Sequence, residues 1–290
     1  MIEQFLDFLR FEKRASGHTV KSYQTDLEQF RKYLLLQYES GQPELAQPVM
    51  LRSWIVALME EGMNPISINR KIASLRSFYS FLRKRAIIPK DPSKILSSLK
   101  TSKKLPAFVE EKAMGVLFDE IGFSEDFQGL RDQTILELLY GTGIRLAELI
   151  GLELKDIDVF GRTIRVFGKR AKERIIPVSP LLCDLLVRYL AQRAPEEDTN
   201  CLIITDSGKA AYPVFIQRVV KKYLAAVTTL SQKSPHILRH TYATHLLNHG
   251  AELNAIKELL GHANLAATQI YTHNTIEKLK KTHQQAHPKA

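Results

Sequence analysis

The chain has 290 residues, 44% of them apolar and 25% charged, which suits one large or two ordinary globular domains and excludes a disordered polymer. Charges interrupt every apolar run of the opening MIEQFLDFLRFEK and no run reaches membrane-spanning length, so neither a secretory leader nor a spanning helix is expected and a cytoplasmic location is; Cys183 and Cys201 lack metal-ligand or redox spacing, as reduced thiols do. The net charge of +10 is uneven: residues 1–105 carry 18 Lys+Arg against 10 Asp+Glu and the remainder 23 against 21, so a basic third suited to gripping a polyanion precedes a nearly neutral remainder.

Residues 2–13 place Ile2, Phe5, Leu6 and Leu9 at helical spacing, and Ser16-Gly17 breaks the pattern. Thr19 is the expected cap of a second helix with a core stripe of Val20, Tyr23, Leu27, Phe30 and Leu34, leaving Lys21, Gln24 and Arg31 outside it. After a loop over 41–48, a third helix is expected at 51–60 and a fourth at 67–85. In the fourth, Ile68, Ile72, Leu75, Tyr79 and Leu82 form the buried stripe, while Asn69, Arg76 and Arg83 recur every seven residues beside Ala73 and Ser80. Such a face lies readily against a phosphate backbone, although a merely solvated face has the same pattern. These four helices make a small bundle, residues 1–88.

Residues 89–106 read as a linker with Pro89, Asp91-Pro92 and Lys103-Lys104-Leu105-Pro106. From Arg83 to Lys104 there are eight basic residues and only Asp91 against them, the sign that a segment wrapped around a duplex needs. The rest, residues 107–290, is expected to be mostly helical: helices at 109–121, 129–140, 144–151, 180–193, 213–227, 234–250, 253–260 and 275–285, and a short one starting near Asn264. Arg145 falls in the first turn of the helix after Gly141-Thr142-Gly143, where the dipole is positive, and an ion pair with Glu148 three residues on is its ordinary alternative role. Residues 156–159, 163–167 and 174–178 read as strands of one small antiparallel sheet, with Lys169 at a hairpin tip from which an ammonium reaches into a cleft or simply meets solvent.

The stretch SPHILRHTYATHLLNHG starts a helix with Ser234 as N-cap and Pro235 at its first position and stops it at Gly250. His236 and Arg239, three apart, stand where free N–H groups favour an anion; His262 follows the Gly261 stop of the next helix, and Tyr271 comes nine residues later. Arg forks non-bridging oxygens, His donates a hydrogen bond or moves a proton, and Tyr becomes a nucleophile once its proton leaves, so this order suits a tyrosine attacking a phosphodiester. The His236/His240 and His245/His249 spacings also suit a metal, but no carboxylate lies between them and Arg239 puts a fixed cation there. His240, His245 and His249 are therefore expected to be structural or surface residues.

Gly143-Ile144-Arg145, the hairpin Lys169, His236-Ile237-Leu238-Arg239-His240, Leu260-Gly261-His262 and Tyr271-Thr272-His273 together resemble the tyrosine recombinase (phage integrase) family in order and spacing. The chain length, the linker and the ending His283-Gln284-Gln285-Ala286-His287-Pro288 resemble, more narrowly, its Xer type. The resemblance covers essentially the whole chain. It implies a mainly α fold, a SAM-like core-binding bundle followed by a mostly helical catalytic domain with a small antiparallel sheet. It implies catalytic roles for Arg145 and Arg239 as phosphate clamps, His236 in proton transfer, His262 as a hydrogen-bond donor, Lys169 as the general acid for the 5′ oxygen and Tyr271 as the nucleophile left on the 3′ phosphate. No cofactor, metal or ATP is then needed. Lys21, Asn69, Arg76, Arg83, Lys103 and Lys104 are the expected DNA contacts.

The resemblance also implies a homo- or hetero-tetramer on two double-stranded DNA sites, with helix 275–285 docked on a neighbouring subunit, a paralogous recombinase and a septal DNA translocase as further partners, and resolution of chromosome dimers at a dif-like site. The hairpin departs from the family pattern in reading Gly168-Lys169-Arg170-Ala171-Lys172, without the Gly-Asn frequent after the lysine, and Ala267 stands where a Thr is frequent. A type IB topoisomerase-like relaxing enzyme and a catalytically silent DNA-binding protein are the rival readings.

Overall fold

The computed structural model describes residues 1–101, 107–168, 173–196, 199–261 and 285–288. The chain divides into two compact units, Met1–Lys104 and Leu105–Ala290, each with its own apolar core. Mainly helical, it has eleven α-helices and one three-stranded antiparallel sheet among the described residues, as the patterning led one to expect.

In the first unit α1 (Ile2–Asp7) runs on into a π-helical turn, Phe8–Glu12, so the apolar spacing of residues 2–13 is carried by two kinds of turn. Helix α2 (Gly17–Tyr38) starts two residues before the expected cap: Ser16, not Thr19, is the N-cap, its hydroxyl accepting from the Thr19 N–H at 3.3 Å. A cap needs extended backbone and an oxygen facing the free N–H groups, and Ser16 has ψ 151°. Helices α3 (Pro48–Glu60) and α4 (Pro65–Lys84) both open on a proline, and Asn64 caps α4. Phe5, Leu27, Phe30, Leu34, Trp54, Leu75 and Phe78 fill the core between them.

A polar cluster joins α2 to α4. Asp26, essentially fully buried, accepts from Lys71 Nζ at 3.0 Å, from Ser74 Oγ at 2.7 Å and from Arg70. Lys71 is equally buried, donates also to Gln29 and lies 5.8 Å from the Trp54 ring centroid.

In the second unit α6 (Phe127–Thr142), capped by Asp126, is the central rod, buried on nearly every face and packed against α8 (Pro180–Gln192) and α10 (Pro235–Asn248). Helix α5 (Glu111–Gly115) is shorter than expected and continues as a second π-helical turn, Val116–Glu120. Strands β1 (Ile157–Asp158), β2 (Thr163–Phe167) and β3 (Glu173–Pro177) pair in that order, with Ile164 opposite Ile176 and Phe167 opposite Glu173. Helix α9 (Pro213–Val227) has the bounds its proline start and apolar stripe imply.

Two predictions follow from these packings. Asp26→Asn leaves the Lys71 ammonium without its carboxylate and should cost about 3 kcal/mol. Trp54, the only tryptophan and buried in this unit, reports the shift in denaturant midpoint by fluorescence. In the second unit Gly143 closes α6 at φ +61°, and a Cβ there would stand 2.4 Å from Cδ1 of Tyr242. Left-handed backbone and the clash together should make Gly143→Ala destabilising by about 3 kcal/mol, read from the thermal transition of the full chain.

Candidate active site

Arg145 stands at the N-cap of α7 (Leu146–Ile150), which starts two residues later than expected, so Arg145 precedes the first turn in which it was expected. The left-handed Gly143 turns the chain out of α6, and the extended backbone of Arg145 aims its side chain away from α7's axis. Glu148, in the first turn, supports it twice: Oε2 accepts from the Arg145 backbone N–H at 2.8 Å and Oε1 from its guanidinium Nη1 at 2.7 Å. The side-chain ion pair and a directed guanidinium coexist here.

Arg174, an inward residue of β3, forks the same carboxylate through Nη1 and Nη2 at 2.9 and 2.8 Å. Burial alone would raise the Glu148 carboxyl. Arg174, and with it Arg145, overrides burial and brings the pKa down to about 2. Sequence reasoning passed over Arg174; the signal that points to it is strand alternation, because Arg174 and Ile176 share the inward parity of β3 and only one of them is apolar.

Arg239, on α10, is 7% exposed and donates to the carbonyls of Gly143 and, at 2.6 Å, Leu260. Arg145 Nη2 donates to Gly261 O at 3.3 Å and Arg174 Nε to Leu259 O at 2.9 Å. Three guanidinium groups thus meet three successive carbonyls where α11 (Leu253–Leu260) ends in the left-handed Gly261. Free carbonyls at a helix C-terminus are the negative end of its dipole, so they hold cations together that otherwise repel. The repulsion remains legible: burial first, then the Arg145 and Arg174 cations, pull the Arg239 pKa down to about 10, so it keeps its charge at neutral pH. Among the described residues the cluster sets one carboxylate against three guanidiniums, and Arg145, its side chain 40% exposed, gives it an opening to solvent.

His236, in the first turn of α10 and three residues before Arg239, stays exposed, its ring 4.5 Å from that of His240, whose pKa is depressed by burial and by the adjacent His236 and Arg239. Ser234 occupies the N-cap of α10 without a side-chain cap bond. His245 pairs through Nδ1 with the Tyr140 hydroxyl at 2.9 Å, and His249 bonds Ala286 O through Nδ1 and Glu111 through Nε2. Ala286 and His287 are buried on their own unit, the His287 ring lying against Tyr140 and Tyr242. Lys169, His262, Tyr271, Lys103 and Lys104, and the expected helix 275–285 up to Gln285, lie outside the described residues.

Of the expected DNA contacts on the first unit, Lys21, Arg76 and Arg83 are exposed and Asn69 is half-buried. Asn69 and Arg76 are engaged by the chain itself: the Asn69 amide exchanges two hydrogen bonds with the Leu99 backbone, at 3.0 and 2.8 Å, and Arg76 donates to Leu96 O. Leu96 is buried in the bundle core and Leu99 packs against it, so the segment read as linker is held on α4 as far as Leu99.

Because Glu148 is held at about 2 in the folded chain, against 4.5 unperturbed, its contribution to stability is complete above about pH 4.5 and is lost as pH falls toward 2. The difference in denaturant midpoint between the wild-type chain and Glu148→Gln, on the order of 3 kcal/mol at pH 7, should therefore shrink through that acid window.

Two family models match: the phage integrase family over residues 108–278 and the phage integrase N-terminal SAM-like domain over residues 2–86. The chain is 36% identical to a tyrosine recombinase XerC of Chlorobaculum tepidum, covering 99% of this chain and 94% of that protein, and 34% identical to the XerC of Bacillus subtilis, covering 100% and 96%. A solved structure of the XerH site-specific recombinase bound to a palindromic difH substrate superposes with a TM-score of 0.73 at 21% identity, over 97% of this chain and 83% of that one, and is alike in fold. The chain belongs to the phage integrase family and is a tyrosine recombinase of the Xer type, an enzyme that cleaves and rejoins DNA.

Proposed function

We propose that this chain exchanges DNA strands at a specific dif-like site, resolving chromosome dimers, through a covalent 3′-phosphotyrosyl link to Tyr271. The observation that carries the reading is the guanidinium cluster at the end of α11, with one carboxylate against three cations. Among the described residues the cluster gathers planar cationic forks, and a phosphodiester is the anion whose non-bridging oxygens match such forks. Pre-set donors are worth most where charge develops, here on the equatorial oxygens of the phosphorane formed when a hydroxyl attacks phosphorus.

In this reading Arg145 and Arg239 hold the phosphate, His236 and His262 donate to it or move a proton, and Lys169 protonates the departing 5′ oxygen. Breaking one phosphodiester forms another, so the bond energy is kept in the phosphotyrosine and religation to a partner strand consumes no nucleotide. Residues 1–88 act as a DNA-gripping bundle through exposed groups such as Lys21 and Arg83, residues 89–106 as the basic connection with Lys103 and Lys104, and residues 107–290 as the catalytic domain. That the similarly folded XerH recombinase was solved bound to a palindromic difH substrate supports a DNA substrate here, read as double-stranded. Assembly is a tetramer on two duplexes, in which Ala286 and His287 leave the seat they take here on their own unit and residues 275–285 are given to a neighbouring subunit; a paralogous recombinase and a septal translocase are candidate partners.

The test is covalent trapping, without metal or ATP, on a nicked suicide duplex carrying a dif-like site, followed by peptide mapping. An adduct at Tyr271 is expected, and Tyr271→Phe should bind the duplex as tightly while forming none; cleavage by that variant overturns the assignment. Lys169→Ala should lose cleavage of the ordinary duplex by more than about 100-fold and regain it on a 5′-bridging phosphorothiolate, whose leaving group needs no proton.

A further inference from the structure

Arg174 is a buried cation to which the reading above gives no task. Its side chain is 5% exposed, and Nε, Nη1 and Nη2 all donate inward. Its partners come from two other elements. The fork on Glu148 reaches the start of α7, because each Glu148 oxygen that accepts from Arg174 accepts also from Arg145. The bond to Leu259 O reaches the end of α11, where the guanidinium lies so close to Gly261 that a Cβ there would stand 3.1 Å from Nη1. Strand β3 itself is the chain that follows residues 169–172. One side chain therefore braces the turn carrying Arg145, the turn preceding His262 and the strand following Lys169.

We propose that Arg174 is a positioning residue for strand cleavage, fixing the Arg145 guanidinium through Glu148 and the 259–261 turn through Leu259. The proposal rests on the functional reading given above. Arg174 does not meet the phosphate; it acts by denying Glu148 any rotamer except the one that holds Arg145. A lysine in its place keeps the cation but presents a single ammonium, which does not fork a carboxylate and reach the Leu259 carbonyl together.

Three readouts on the full-length chain test this. In Arg174→Lys, affinity for a dif-like duplex should stay within about twofold, while the rate of covalent complex formation at saturating duplex should fall about 100-fold, the scale of a small misplacement of a reacting group. The acid limb of the rate should also move to higher pH than in the wild type, since Glu148 with fewer donors titrates higher. In DNA-free protein, the 15N guanidinium signal of Arg145, assigned by its loss in Arg145→Lys, should change from restrained to averaged. If Arg174→Lys does not fold, Arg174→Met in a Glu148→Gln background leaves no carboxylate unpaired, and should cost a further tenfold in rate beyond Glu148→Gln alone by loosening the 259–261 turn. A folded Arg174→Lys that cleaves within about threefold of wild type, an unchanged Arg145 signal, or no added cost in the Glu148→Gln background overturns the proposal. A wild-type chain that forms no adduct overturns the functional reading instead, and the Arg145 signal still decides the role of Arg174.

Discussion

The structure of the second unit depends on holding three like charges close together. Arg145, Arg174 and Arg239 come from the cap of α7, from β3 and from α10, and nothing local brings them together. Two devices offset their repulsion: a single carboxylate, Glu148, divided between two of them, and three consecutive carbonyls at the end of α11, one for each. Neither neutralises the cluster. The repulsion shows in Arg239, which burial and its neighbours depress to about 10.

That arrangement explains features of the scaffold that otherwise look incidental. Gly143 is left-handed and tight against Tyr242 because α6 must end abruptly for its last carbonyl to face Arg239 and for Arg145 to point out. The all-round burial of α6 gives these ends a rigid base, since a helix packed on every face has no soft direction in which to yield. In the first unit Asp26 plays the part Glu148 plays in the second, one buried carboxylate locking two elements through several donors, here α2 and α4. Each unit is thus pinned by a satisfied buried charge, which specifies one packing more sharply than apolar contact does.

How much of this was legible in the sequence depended on how local the cause was. The bounds of α9, the stop at Gly261, the pairing of β2 with β3 and the Arg145–Glu148 pair follow from signals within a few residues, whereas α6, expected to end at Tyr140, runs through Gly141 and Thr142 to stop at Gly143. The caps of α2 and α7 were displaced by three and two residues, because a cap is chosen by backbone direction and several neighbouring residues are chemically able. Arg174 was missed for a different reason: its partners lie 26 and 85 residues away in sequence, and only the topology puts Glu148 and Leu259 on either side of it. Asn69 and Arg76 show the converse. Their seven-residue repeat marked a polar face correctly, but what that face meets, the backbone at Leu96 and Leu99, is a tertiary fact.

The grip of α4 on its own following segment has a further consequence. With Leu99 tied to Asn69 and Val109 tied to Thr241 at 3.0 Å, the covalent tether between the two units is only the stretch between those anchors. Fully extended, it spans no more than about 35 Å. In the proposed reading, where the first unit grips the duplex, a tether that short presents the second unit to the same polymer at an effective concentration of about a millimolar, so the second engagement is close to an intramolecular step. Lengthening the tether would weaken that avidity without altering a single contact to the DNA.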